Sequence, residues 1–144
     1  MNEHIAKLKT PDECVTFARN ASRLGRHDLV KAAKTKELRL KAKTYGATTE
    51  AEIEAIAAVY AYEEVLSKKN GKPTKASRTW PMIERHGIIA AVERAVNRND
   101  VTMGYKALEE IGLEEFAFEA VILRHPELFS KEAVLISKSR MRNQ

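Results

Sequence analysis

The fold is decided by residues 49–71, whose sequence is TEAEIEAIAAVYAYEEVLSKKNG. Thr49 and Glu52 have the spacing of a capping box, in which the threonine hydroxyl accepts a hydrogen bond from the Glu52 backbone N–H and the Glu52 carboxylate reaches back. Apolar residues follow at helical spacing, and the pattern ends in a polar stretch that closes with Gly71. The segment therefore predicts one long helix.

Similar start and stop signals predict helices on both sides of this segment. Thr10 and Glu13 form a second capping box, and glycines or His125-Pro126 follow most of the other periodic stretches. No stretch alternates apolar and polar residues long enough to indicate a strand. The further predicted helices cover residues 11–24, 28–45, 79–86, 88–96, 101–111 and 113–123, and one begins after Ser130. We therefore predict an all-α protein, with about seven helices in a compact bundle and an antiparallel helical hairpin at the N-terminus.

Size and composition predict one globular domain. The chain has 144 residues, of which 44% are hydrophobic and 31% charged, which is the composition of a folded protein rather than of a disordered one. A basic loop near residues 68–78 has no apolar periodicity. We expect residues 1–144 to form a single helical domain, with a candidate subdomain boundary near residues 70–77.

The cysteine and histidine content argues against a disulfide and a metal site. Cys14 is the single cysteine, which fits a reducing compartment, and the four histidines lack the spacing of metal ligands. No run approaches the roughly 18 apolar residues of a membrane span. The first residues also lack the apolar stretch of a signal peptide. We expect a cytoplasmic protein without a metal, a cofactor or a membrane partner.

Charge is segmented along the chain. The formal net charge of +5 divides into +6 for residues 1–45, −5 for residues 46–67, +6 for residues 68–98 and −2 for residues 99–144. Basic segments of this kind are typical of proteins that contact phosphates. The second basic segment differs from the first because it also contains Trp80, the only tryptophan.

These features predict a nucleic-acid-binding protein, with DNA as the first expectation and RNA as the second. Cations on a flexible loop can follow a phosphate backbone, and an indole beside guanidinium groups can stack on an unpaired base. The alternative role for Trp80 is to anchor the loop onto the core. The predicted contact residues are Lys68, Lys69, Lys72, Lys75, Arg78, Trp80, Arg85 and His86.

A helix-turn-helix motif fits the sequence poorly in both places where it can be tested. Around Gly87 the following helix carries Arg94 and Arg98, but bulky Ile83 falls where a small residue is needed. Around Gly112 the apolar positions suit the motif, but the recognition helix would present Glu114, Glu115 and Glu119 to phosphates. We therefore expect a surface built from a helix and a loop.

Two other function classes stay open. The acidic segment, with Glu50, Glu52, Glu54, Glu63 and Glu64 on one helix, is typical of a non-enzymatic adaptor or self-associating module that docks on a protein partner. The third class is a helical enzyme built on His86 with Arg78 or Arg85. We expect no catalytic residue, because Glu84, two residues before His86, would point to a different face of the helix.

Overall fold

A computed structural model describes residues 3–98 and 104–142, and this part of the chain is helical without any strand. The all-α prediction is confirmed. Nine α-helices are present in the described residues, so the expected total of about seven is slightly too low. Eight of the nine overlap the segments predicted above, and the remaining one, α1, has four residues and carries too little periodic signal to predict. The nine helices are α1 (Glu3–Ala6), α2 (Pro11–Arg23), α3 (His27–Tyr45), α4 (Glu50–Asn70), α5 (Thr79–His86), α6 (Ile88–Asn97), α7 (Gly104–Glu110), α8 (Phe118–Arg124) and α9 (Lys131–Arg142).

Both predicted capping boxes form. The hydroxyl of Thr10 accepts from the backbone N–H of Glu13 at 3.1 Å, and the hydroxyl of Thr49 accepts from that of Glu52 at 3.2 Å. In each box the glutamate also accepts from the N-cap backbone. These contacts satisfy backbone donors that the first turn of a helix leaves free, so α2 and α4 begin where the sequence predicts.

The predicted N-terminal hairpin consists of α2 and α3, which pack against each other. Gly25, with φ +72°, lies between them, and Gly46 ends α3 with φ +119°. L-residues with a Cβ rarely adopt these values, so glycine suits both turns. From Gly46 the chain enters α4, which packs on α3 from the other side.

The core is built around α4, the helix predicted from residues 49–71. It packs against α3, α6, α7 and α8, and the side chains of Ala55, Ile56, Ala57 and Ala61 are completely buried. One hydrophobic cluster extends from Leu38 to Ala133 and includes residues on both sides of the loop at 71–78. Because α4 is apolar on several faces, helices can pack around it.

The continuous helix predicted for residues 113–123 is wrong. A 3₁₀ turn covers Glu114–Phe116, Ala117 is extended with ψ 145°, and α8 begins at Phe118. Two residues two positions apart on an α-helix point about 200° apart. The break at Ala117 instead lets Phe116 and Phe118 both lie in the core.

The basic loop is shorter than predicted. Lys68 and Lys69 belong to the last turn of α4, where cations favour the carbonyl end of a helix, and the loop covers residues 71–78. Ser67 holds the loop, because its hydroxyl accepts from the backbone N–H of Thr74 at 2.8 Å. None of the described helices combines the length and the apolarity that a membrane span requires.

Candidate nucleic-acid interface

Trp80 anchors the start of α5 to α4. Its half-buried ring lies between Tyr45 and Tyr60, with centroid distances of 5.2 Å to each. Its indole Nε1 donates to Oε2 of Glu63 at 2.6 Å, and the same oxygen accepts from the backbone N–H of Ala76 at 2.8 Å. The indole N–H is therefore bonded within the protein. These contacts match the alternative role considered for Trp80, in which it anchors the loop onto the core.

A cavity of about 570 Å³ lies beside this anchor. Its lining residues come from the loop, α5, α4, the end of α6, α7 and residues 116–119. Its apolar wall includes Tyr62, Met82, Tyr105, Leu108 and Phe116. Cationic and polar side chains also line the cavity.

The cavity brings together half of the predicted contact residues. Lys75, Arg78, Arg85 and His86 all line it. The others do not: Lys68, Lys69 and Lys72 are exposed on the end of α4 and the loop, and Trp80 faces its two tyrosines.

Arg98 lines the same cavity and was missing from the predicted set. Arg94 and Arg98 are four residues apart at the end of α6, so they lie one turn apart on the same helix face. That spacing is the sequence signal that could have placed Arg98 on the same positive surface as the cations of α5. We call Lys75, Arg78, Arg85, His86 and Arg98 the basic rim.

The four permanent cations of the basic rim have no acidic partner within residues 3–98 and 104–142. Cations of α3 differ in this respect. Lys34 pairs with Glu64 at 3.0 Å, and Arg39 pairs with Glu50 at 2.8 Å. Part of the basic charge of the first segment is therefore neutralised within the fold, whereas the four permanent cations of the rim keep their positive charge free.

The carboxylates of the acidic segment bind partners inside the chain. Besides Glu50 and Glu64, which pair with α3, Glu52 caps its own helix and Glu63 holds Trp80. Glu54 contacts Arg124 at 2.5 Å and His125 at 3.0 Å. Glu50, Glu54 and Glu64 are therefore paired with cations inside the protein, which leaves less free negative charge on α4 for a basic protein partner.

His86 is half-buried among positive charges. Burial lowers its pKa below the ordinary value, and the positive charges of Arg94, Arg85 and Arg98 lower it further. The imidazole is therefore neutral at neutral pH, with one nitrogen that donates and one that accepts hydrogen bonds.

Nothing in the described part of the chain completes a catalytic pair with His86. Glu84 is exposed and forms no hydrogen bond with His86 there. Glu119 also lines the cavity, but its buried carboxylate pairs with Arg140 at 3.1 Å. Across residues 3–98 and 104–142, no three His, Cys, Asp or Glu side chains are grouped as metal ligands.

The structure supports neither of the two helix-turn-helix alternatives. In the first, Ile83 is buried and Glu93 accepts from the backbone N–H of Ser130 at 2.6 Å, so both are structural. In the second, the recognition helix is interrupted at Ala117. Glu119, which this motif would present to phosphates, is instead buried.

No family model, curated protein or solved structure matches the chain. Function is therefore inferred from the cavity and its rim.

Proposed function

We propose that the protein binds nucleic acid, with DNA as the first expectation, through the basic rim and without enzymatic activity. The observation that carries the proposal is that Lys75, Arg78, Arg85 and Arg98 line one concave surface and have no acidic partner in the described residues. Cations without partners inside the protein are available to phosphates. The proposal includes a cytoplasmic location, which the free, buried thiol of Cys14 favours.

Phosphate contacts are the physical basis of this function. A cation that neutralises a phosphate releases condensed counterions, which favours binding at low salt. Three further cations lie outside the cavity: Lys72 on the loop, and Lys68 and Lys69 at the end of α4. They extend the positive surface beyond the rim. A strand that enters the rim therefore meets further cations along its backbone.

The test is binding of single-stranded DNA, duplex DNA and RNA as a function of salt. The wild type is compared with a variant in which Lys75, Arg78 and Arg85 are changed to alanine. We expect the wild type to bind and its affinity to fall steeply between about 50 and 200 mM salt. For a single strand, loss of three phosphate contacts lowers the slope of log K against log salt by about 2.

The matched control changes Arg19, Arg23 and Lys31 to alanine. These side chains are exposed on α2 and α3, and their removal lowers the net charge by the same amount as the first variant. We expect the control to bind almost as well as the wild type. Equal loss in both variants would show that only total charge matters, and no binding by the wild type would overturn the proposal.

Docking on a protein partner, or self-association, is the alternative, and it has less support. It depended on free carboxylates along α4, which instead bind Arg39, Lys34, Arg124 and Trp80. A stoichiometric protein partner that survives nuclease treatment in a pull-down would favour this alternative.

A further inference from the structure

The cavity inside the basic rim has an apolar wall that phosphate contacts alone do not require. From this we infer that it receives one unpaired nucleotide of a single strand, with the base against the apolar wall and the phosphates on the rim. The inference rests on the proposed function and narrows it to single-stranded nucleic acid.

The apolar wall matches a nucleobase in shape and polarity. The half-buried side chains of Tyr62, Met82 and Tyr105 line it together with the buried Phe116. Flat bases stack on aromatic side chains whatever their sequence, and each stacked base contributes about 1–3 kcal/mol. A surface built only for a phosphate backbone gains nothing from such a wall.

The cavity also has the size and the polar groups for this occupant. Its volume of about 570 Å³ lies within the roughly 300–1,000 Å³ of small-ligand sites. The hydroxyl of Ser77 and the neutral imidazole of His86 line it. These groups can bond to the polar edge of a base, while the guanidinium groups of Arg78 and Arg85 remain for phosphate.

A duplex can supply phosphates to the rim, but it does not offer an unpaired base to the apolar wall. Its bases are stacked and paired, so a base reaches a pocket only after extrusion from the helix, which costs a few kcal/mol. A single strand avoids this penalty. The geometry therefore predicts that single strands bind more tightly than duplexes at the same salt concentration, and that the difference requires a base.

The first experiment uses the wild-type protein and changes only the ligand. Fluorescence anisotropy at low salt compares an oligothymidine, an abasic strand of the same length, a duplex of that length and thymidine monophosphate. We expect the oligothymidine to bind about 5- to 150-fold more tightly than the abasic strand, which corresponds to one stacked base. The monophosphate should bind far more weakly than the oligothymidine, because it reaches only part of the positive surface.

The second experiment changes the wall. Tyr105→Ala removes a half-buried ring that lines the cavity, and Phe17→Ala removes a half-buried ring from α2, outside it. We expect Tyr105→Ala to lose the preference for the oligothymidine over the abasic strand and to keep the salt dependence. Phe17→Ala should keep both. If Tyr105→Ala does not fold, the ligand comparison on the wild type still decides the question.

The outcomes separate the two proposals. Equal binding of oligothymidine, abasic strand and duplex would overturn this inference and leave the proposed function standing. Binding of the monophosphate as tightly as the oligothymidine would also overturn it, because the site would then serve a small ligand. Absence of binding by every nucleic acid would overturn both.

Discussion

The carboxylate of Glu63 accepts a 2.6 Å hydrogen bond from the indole Nε1 of Trp80 and thereby joins the middle of the chain's longest helix to the first turn of α5. The same oxygen binds the backbone N–H of Ala76. Arg78 lies between these two attached residues. The segment that carries Arg78 is therefore fixed at both ends, and the guanidinium extends from a defined backbone rather than from a free loop.

Glu63→Ala should lower the free energy of unfolding by about 2–3 kcal/mol. It leaves two part-buried donors, on Ala76 and Trp80, without their charged acceptor. Urea unfolding measures the loss, and Trp80, as the only tryptophan, reports locally through a red-shifted fluorescence. Glu84→Ala is the control, because Glu84 is exposed on α5 and has no hydrogen bond among the described residues. Equal stability of the two variants would contradict the anchoring role.

Gly87→Ala should destabilise the protein by about 1–3 kcal/mol. Gly87 joins α5 to α6 with φ +89° and ψ 165°, a combination that is essentially restricted to glycine. A Cβ at this position would meet no atom within 4 Å, so the effect comes from the backbone alone. Thermal or urea unfolding measures it.

Gly87→Ala should also change the affinity for nucleic acid, because relief of the backbone strain reorients α5 relative to α6. His86 and Arg85 then separate from Arg98, and the affinity for a single strand should fall even at temperatures where the variant is folded. Unchanged stability and unchanged binding would show that the connection does not set this geometry.

Arg140→Met should lower the free energy of unfolding by about 3–5 kcal/mol. Arg140 pairs with Glu119 at 3.1 Å, and its guanidinium also donates to the carbonyl of Val96 at 2.9 Å. Without it, the carboxylate of Glu119, whose side chain is 2% exposed, is left buried without its ionic partner.

A double variant tests this explanation. Glu119→Leu combined with Arg140→Met removes both charges, and a buried ion pair exchanged for apolar side chains of similar volume is often tolerated. We expect the double variant to be more stable than Arg140→Met alone. A double variant that loses the sum of the two single effects would show that the two residues act independently.

Binding should strengthen as pH falls between about pH 8 and pH 5. Burial and the charges of Arg94, Arg85 and Arg98, which face the imidazole from α6 and α5, hold the pKa of His86 below its ordinary value in the free protein. A bound phosphate offsets these charges and raises the pKa in the complex. The complex then binds more protons than the free protein, so affinity rises as pH falls through this range.

His86→Gln is the variant that checks the assignment. It keeps a polar side chain but cannot titrate, so the pH dependence of oligothymidine binding should become smaller. Retention of the full pH dependence by His86→Gln would assign it to other groups.

Most helix boundaries were predictable because local chemistry sets them. The hydroxyls of Thr10 and Thr49 and the glycines at 25, 46 and 87 act within one turn of their own positions. The break at Ala117 was not predictable in this way. It depends on where Phe116 and Phe118 find space in a core formed by distant helices, and no local signal encodes that space.

Half of the predicted contact residues converge for a local reason as well. Lys75, Arg78, Arg85 and His86 lie on one loop and on the short helix α5 that follows it, so the secondary structure predicted from the sequence already places them in one compact segment. Most of the apolar wall, by contrast, comes from α4, α7 and residues 116–119. The orientation of Trp80 depends on Glu63, which lies on another helix. The apolar wall and the orientation of Trp80 both depend on packing between helices that are distant in sequence, which the spacing of apolar residues does not reveal.

The positive charges of Arg85, Arg94 and Arg98, which act on His86, also affect the stability of the unliganded protein. Arg94 and Arg98 lie one helical turn apart, where like charges repel, and neither forms an ion pair with an acidic side chain of the described residues. A polyanion that settles there acts as a stabiliser of the native state by mass action. Neutralising Arg98, which lines the cavity, would make the unliganded molecule more heat-resistant and would lower its affinity, so stability and binding are opposed at this one position.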